Sequence, residues 1–316
     1  VNNVVIDVIG WDVNEVVKLI RGPKGSTVKL KILPTSSDAD SNPYDLSLIR
    51  DAVTLEEQAA SSYIKTLDVG NEQFHIGVIT VPSFYQDFAA RRKGEKNYKS
   101  TTSDVKNIVK ELEEIGIDAI IMDLRGNSGG LLDEATALTG LFIDQGPIVQ
   151  LKDMDDNIEV LEDPYPGMVY NGPMVIMIDR YSASASEIFA AAIQDYQRGI
   201  VIGQKTFGKG TVQNLYPLDR YSRYTSKKGF GQLTLTIAKY YRVTGSGTQN
   251  KGVTPDIELP SFINEEKIGE ETKSNTLPWD QIVKLDFKTQ YELSSALSVV
   301  QNNFLSRKEN NLALKF

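Results

Sequence analysis

Hydrophobic positions change period several times along the chain, and each change predicts an element. Trp11, Val13, Val16, Val17, Leu19 and Ile20 share one helical face, which Gly22 and Pro23 stop. Val28, Leu30 and Ile32 then alternate with Lys29 and Lys31, the period of a half-buried strand. Residues 34–43, rich in Ser, Asp and Pro, predict a turn, and residues 46–50 a returning strand. Residues 51–73 read as a charged connector. A strand pattern over residues 74–81 carries His75, expected to be a structural, partly exposed strand residue. Ser103 is expected to cap a helix whose apolar face is Val105, Ile108, Val109, Leu112 and Ile115, ended by Gly116.

Residues 119–124 are a near-continuous apolar run, the pattern of a strand buried on both faces. Residues 125–130 are its exit loop, and 131–142 an amphipathic helix. The unit recurs as an apolar strand at 173–178, a small-residue turn at 182–186, an Ala-rich helix at 187–196 and a strand at 199–203. That succession predicts crossover units on a mostly parallel sheet, an α/β architecture. Residues 233–243 alternate again as a later strand. Residues 261–274 are polar and acidic and read as a surface stretch. Residues 278–316 place Leu and Val at helical spacing and are expected to pack back on the body.

Composition narrows the chemistry. The 316 residues include no Cys and one His, which excludes a cysteine nucleophile, disulfides and Cys- or His-rich metal sites. A formal charge of −8 argues against a nucleic-acid partner. The basic cluster of Arg91, Arg92, Lys93, Lys96 and Lys99 reads as a solvated loop. No run of 18 apolar residues is present, so no membrane span is encoded. No motif calls for a cofactor.

Two small-residue loops follow buried strands. Glycines at 126, 129 and 130 let backbone N–H groups turn toward a cavity. Ser182, Ser184 and Ser186 stand just before a helix, whose N-terminus favours an oxyanion. A nucleotide-binding loop is excluded: Gly203, Gly208 and Lys209 have the spacing, but Gly210 stands where a hydroxyl is needed and a strand pattern follows. A serine hydrolase without a usable histidine needs a lysine base, uncharged through burial. Lys209, between two glycines and beside Phe207, suits this, with Lys205 the nearest competitor. Ser62 and Lys65 have the penicillin-binding spacing without its partner motifs, a chance match.

Residues 178–196 (IDRYSASASEIFAAAIQDY) and 201–213 (VIGQKTFGKGTVQ) closely resemble the core of the bacterial tail-specific, or C-terminal processing, proteases. Residues 11–34, with Arg21 and Gly25, resemble the second half of their PDZ domain. DLRGNSGG at 123–130 resembles their oxyanion loop, and KGVTPD at 251–256 and LPWD at 277–280 resemble later signatures. The resemblance is to the periplasmic branch. It implies an α/β fold, a ClpP/crotonase-like sheet-and-helix serine protease core with a partial PDZ domain in front. Its divisions would be residues 1–50 for that partial domain, 51–73 for a connector, 74–260 for the catalytic core and 261–316 for the surface stretch and helical tail.

Residue by residue, the resemblance implies Ser184 as nucleophile, Lys209 as general base and Gln213 as the group that orients the lysine. Asp195 matches an aspartate that supports activity, more through structure than proton transfer. Ala185 and either Gly129 or Gly130 would form the oxyanion hole. The implied activity is endopeptidase cleavage near C-termini of protein substrates in an extracytoplasmic compartment, with a regulatory or adaptor protein as a further partner. The carboxylate-binding loop of a PDZ domain would precede residue 1, so weak discrimination between free and amidated C-termini is expected. A noncatalytic tail-binding module and a crotonase-like acyl-transfer enzyme are the alternatives; the second lacks any CoA-site signal.

Overall fold

The computed structural model describes residues 5–11, 13–33, 42–51, 55–56, 58–95, 97–164, 166–221, 229–261, 263 and 267–311. In the first of its two units, Val1–Glu57, the helical spacing ahead of Gly22 becomes α1 (Val13–Ile20). The two strand patterns pair antiparallel as β1 (Thr27–Ile32) and β2 (Tyr44–Ile49), with Leu30 opposite Leu46. Arg50 fastens helix to hairpin, its Nε donating to Ile20 O at 2.6 Å and its Nη1 to Ser26 Oγ at 3.0 Å. Residues 34–41 of the expected turn lie outside the described residues.

The second unit, Gln58–Phe316, opens inside the stretch read as a connector. There β3 (Ser61–Val69) pairs antiparallel with β4 (Glu72–Thr80), so 51–73 is not connector throughout. All nine residues of β3 are exposed, which explains why no apolar face marked it. Part of the basic cluster is helix rather than loop: Asp87 caps α2 (Phe88–Arg92), and Arg91 donates to Gln86 Oε1 at 2.9 Å. Lys96 lies outside the described residues. The cap of α3 (Thr101–Ile115) is Ser100, not Ser103. Ser100 is extended and its Oγ accepts from Ser103 N, a residue already in the helical first turn.

The chain continues through β5 (Ala119–Asp123), α4 (Leu132–Gly140), β6 (Gly146–Asp153), β7 (Ile158–Asp163), β8 (Met174–Ile178), α5 (Ala185–Asp195) and β9 (Ile200–Gly203). Then come β10 (Thr211–Pro217), β11 (Gln232–Tyr241), β12 (Ile257–Glu258) and α6 (Ser294–Asn310). One sheet has the order β12-β9-β8-β5-β4-β3, parallel except for β3. The crossover α/β architecture is therefore the observed one. Ile120, Met122, Ile176 and Ile178 are wholly buried in one core with Leu138, Phe142 and Phe189. Each such side chain contributes on the order of 2 kcal/mol.

A second, antiparallel sheet has the order β10-β11-β6-β7. The strand expected at 233–243 is its β11; β6 and β7 had no counterpart in the hydrophobic pattern. The polar stretch at 261–274 is not simply surface, because Gly269 and Glu270 are buried. Residues 262 and 264–266 of it, and 312–316 of the tail, lie outside the described residues. Among the described residues of the tail only Ser294–Asn310 is helical, and its Gln301 Nε2 donates to Asp256 O at 3.0 Å.

Candidate active site

The exit loop of β5 and the turn after β8 are laced together by backbone bonds and small polar side chains. Asn127 O accepts from Ala183 N at 3.0 Å and from Ser186 Oγ at 2.9 Å, and Asn127 Nδ2 donates to Val81 O. Ser182 Oγ donates to Leu124 O at 2.8 Å. Ser182 and Ser186 are thus wholly buried with their hydroxyls committed to carbonyls. Ser184 differs: it is half-buried, and its hydroxyl faces the Glu187 N–H in a capping box instead of being committed to a carbonyl. Its backbone lies at φ 57°, a left-handed conformation costly for a residue with a Cβ. Strain of this kind turns a side chain out at the foot of a helix, here α5.

Gly129 makes that turn fit. A Cβ there would come 2.7 Å from Ala183 O and 2.8 Å from Ser184 Cβ. Its N–H is already spent on Asn127 Oδ1 at 2.8 Å. Among the described residues, the N–H groups of exposed Gly130 and of Ala185, the first residue of α5, meet no acceptor.

Sequence reasoning missed the residue that joins the two halves. Glu187 is fully buried on α5, and its carboxylate collects four close donors, with the Tyr240 hydroxyl a fifth at 3.5 Å from Oε2. Oε2 accepts from Ser184 N at 2.7 Å and Lys209 N at 2.9 Å. Oε1 accepts from Thr206 Oγ1 at 2.6 Å and Gly208 N at 2.7 Å. One oxygen atom thereby holds the main chains of Ser184 and Lys209 side by side. The signal was available, since a serine followed three residues later by glutamate is a helix-start spacing. Buried Tyr240, at the end of β11, mirrors this on the carbonyl side: its hydroxyl donates to Lys209 O at 2.5 Å and lies 3.2 Å from Ser184 O. Burial pushes Glu187 up to about 7, against the bonds from Thr206 and the three N–H groups, which favour its charged form.

Lys209 is half-buried, and burial pushes its amine below the ordinary lysine value, with Glu270 opposing and Lys273 assisting that shift. Its amine has no ion-pair or hydrogen-bond partner among the described residues, whereas Lys205 pairs with Glu271 at 3.1 Å. Lys209 and Gln213 line one cavity of about 430 Å³ together with Ser128, Ala183, Phe207, Glu270 and Lys273. Gln213 is exposed at a bulge of β10 and makes no bond to Lys209. Asp195 stands apart at the far end of α5, buried and gripped by Arg242, Nε to Oδ2 at 3.0 Å and Nη2 to Oδ1 at 2.5 Å.

The remaining sequence candidates fall elsewhere. His75 is half-buried on β4, with Thr66 Oγ1 3.2 Å from its Nδ1. Ser62 and Lys65 lie on extended β3, where residues three apart point to opposite faces. The KGVTPD and LPWD segments brace the unit. Asp256 Oδ2 accepts from Val201 N at 2.8 Å, Trp279 Nε1 donates to Gly247 O at 2.8 Å, and Lys251 Nζ sits 3.2 Å over the Trp279 ring. Among the described residues, no three His, Asp or Glu side chains are grouped to hold a metal ion, and no helix is long and apolar enough to cross a membrane.

Comparison with known proteins bears on this arrangement. The sequence model described as Peptidase family S41 matches residues 75–259. The tail-specific protease of Haemophilus influenzae is 41% identical over 310 residues, which is 95% of this chain and 41% of that protein. The carboxy-terminal processing protease CtpA of Bacillus subtilis is 33% identical over 256 residues, 80% of this chain and 47% of that protein. The chain thus spans less than half the length of both relatives. Among solved structures, a photosystem II D1 C-terminal processing protease aligns with a TM-score of 0.55 at 24% identity, over 79% of this chain and 60% of that one. That last likeness speaks for the fold.

Proposed function

Because the chain belongs to peptidase family S41, we propose that it carries the catalytic centre of a serine endopeptidase acting near the C-termini of protein substrates. The observation that carries this reading is the shared grip of Glu187 on Ser184 and Lys209. It sets a hydroxyl not committed to any carbonyl and a half-buried amine, unpaired among the described residues, on neighbouring main chains.

Neutral Lys209 takes the proton of Ser184 Oγ as that oxygen attacks the peptide carbonyl. The developing oxyanion is received by the N–H of Ala185 and that of Gly130, which is preferred to Gly129 because the Gly129 N–H is committed to Asn127. Protonated Lys209 then gives its proton to the leaving amine, and water repeats the sequence on the acyl-enzyme. Gln213, on the same cavity wall, orients the lysine once substrate excludes water. Asp195 acts at a distance by tying α5 to the end of β11 through Arg242. The first unit serves as the closing part of a PDZ domain that presents tails, and the setting is extracytoplasmic; the resemblance of residues 11–34 to that domain of the periplasmic branch supports both. Protein substrates with accessible C-termini are the partners, with an adaptor as a further one.

Replacing Lys209 by Ala should abolish cleavage of an unstructured protein while thermal unfolding stays close to that of the parent chain. A serine-directed probe, located by peptide mass, should mark Ser184 and neither Ser182 nor Ser186. Undiminished turnover by the Lys209→Ala variant would remove the proposed base.

A further inference from the structure

The cavity beside Lys209 also contains an ion pair that none of the recognised motifs includes. Lys273 Nζ donates to Glu270 Oε2 at 2.7 Å, and both side chains line the cavity. Lys273 also lies 5.1 Å over the ring of Phe207, two residues from Lys209. The side chain of Glu270 is 12% exposed and that of Lys273 57%.

This wall is held firmly. Glu270 N donates to Phe207 O at 2.9 Å. Arg180, wholly buried, donates to Ile268 O and to Thr206 O, each at 2.5 Å, and pairs with Glu271. Gly269, at φ 146°, permits the approach, since a Cβ there would run into Arg180 Nη2. The wall and the main chain of the Lys209 segment are therefore pinned to the same arginine.

We propose that Glu270 and Lys273, an ion pair on the wall of the cavity that Lys209 lines, are positioning residues that set the charge balance around the general base. The inference rests on the reading of Lys209 as base. The directions agree with chemistry: the Glu270 carboxylate draws the Lys209 amine toward its charged form and the Lys273 ammonium opposes this. The other groups facing this region are Glu187 from α5, which also favours the charged form, and the Tyr240 hydroxyl from β11, held on Lys209 O. Tyr181, before α5, lines the cavity as well, while Lys205, Arg180 and Glu271 are engaged with one another behind the wall.

A base works only when neutral, so activity rises with pH through its titration. Removing Lys273 leaves Glu270 unopposed and moves that rise to higher pH; removing Glu270 moves it to lower pH. The test is the pH profile of kcat/KM on an internally quenched peptide for the parent chain, Lys273→Met, Glu270→Gln and the double variant. At a pH midway up the parent's rise, Lys273→Met should lose roughly three- to ten-fold, Glu270→Gln should gain, and the double variant should return toward the parent. General loosening of the wall would shift both single variants the same way. If both move together, or neither moves while Lys209→Ala is inactive, the charge-balance role is overturned and the base assignment stands. If Lys209→Ala remains active, the base assignment falls and this role falls with it.

Discussion

The two sheets of the second unit are built on opposite principles, and the candidate site lies where they meet. In the parallel sheet, β5, β8 and β9 bury alternate residues in the core shared with α4 and α5 and leave the others half-buried. The antiparallel sheet is uneven. Leu233 and Leu235 of β11 are each 45% exposed, yet Tyr240 and Tyr241 at the end of the same strand are 2% and 1% exposed. Ser184 follows a strand of the first sheet; Lys209 leads into a strand of the second. The proposed nucleophile and base are thus supplied by separate layers, and their alignment depends on the few side chains that span the join: Glu187, Tyr240 and the Asp195–Arg242 pair. Apolar packing secures each layer, whereas polar bonds set one against the other.

Cutting those bonds tests this contrast directly. Glu187→Ala strands three N–H groups and the Thr206 hydroxyl in a dry site; a loss of about 4 kcal/mol in denaturant unfolding is expected, with cleavage abolished. Arg242→Met leaves Asp195 buried without its cation and should cost about 3 kcal/mol in the same measurement. The parent chain should also lose stability, by up to about 3 kcal/mol, as pH rises from about 4.5 to about 7. Glu187 holds its proton more tightly folded than unfolded in that window, and titration of Glu187→Gln should lack this component. Tyr240→Phe removes the hydroxyl bridging the carbonyl side and should cost about 1.5 kcal/mol in thermal unfolding. Ser184→Gly should relieve the left-handed strain, raising stability by about 1 kcal/mol while ending turnover. A destabilised glycine variant would show that the conformation at 184 is not strained.

The parallel layer was legible because full burial of one face and half-burial of the other leave long apolar runs, as at 119–124 and 173–178. The antiparallel layer was not. In β6 the alternation is broken by an irregularity between Pro147 and Val149, and β3 carries no buried residue at all. Ser184 was singled out among three serines only through the family resemblance, and the preference for Gly130 over Gly129 required seeing which N–H Asn127 occupies. The wall of Glu270 and Lys273 is some sixty residues beyond Lys209, within a polar stretch whose composition suggests solvent. Only the reach of Arg180 across the fold reveals that its Glu270 end is interior.

Lys209 is tethered by its peptide N–H and carbonyl, with no bond on the amine itself. The terminal ammonium or amine can therefore change rotamer without disturbing the scaffold that carries it. A short bifunctional electrophile that acylates the serine oxygen and then traps this nitrogen would weld the end of β8 to the start of β10, converting a contact between layers into a covalent staple.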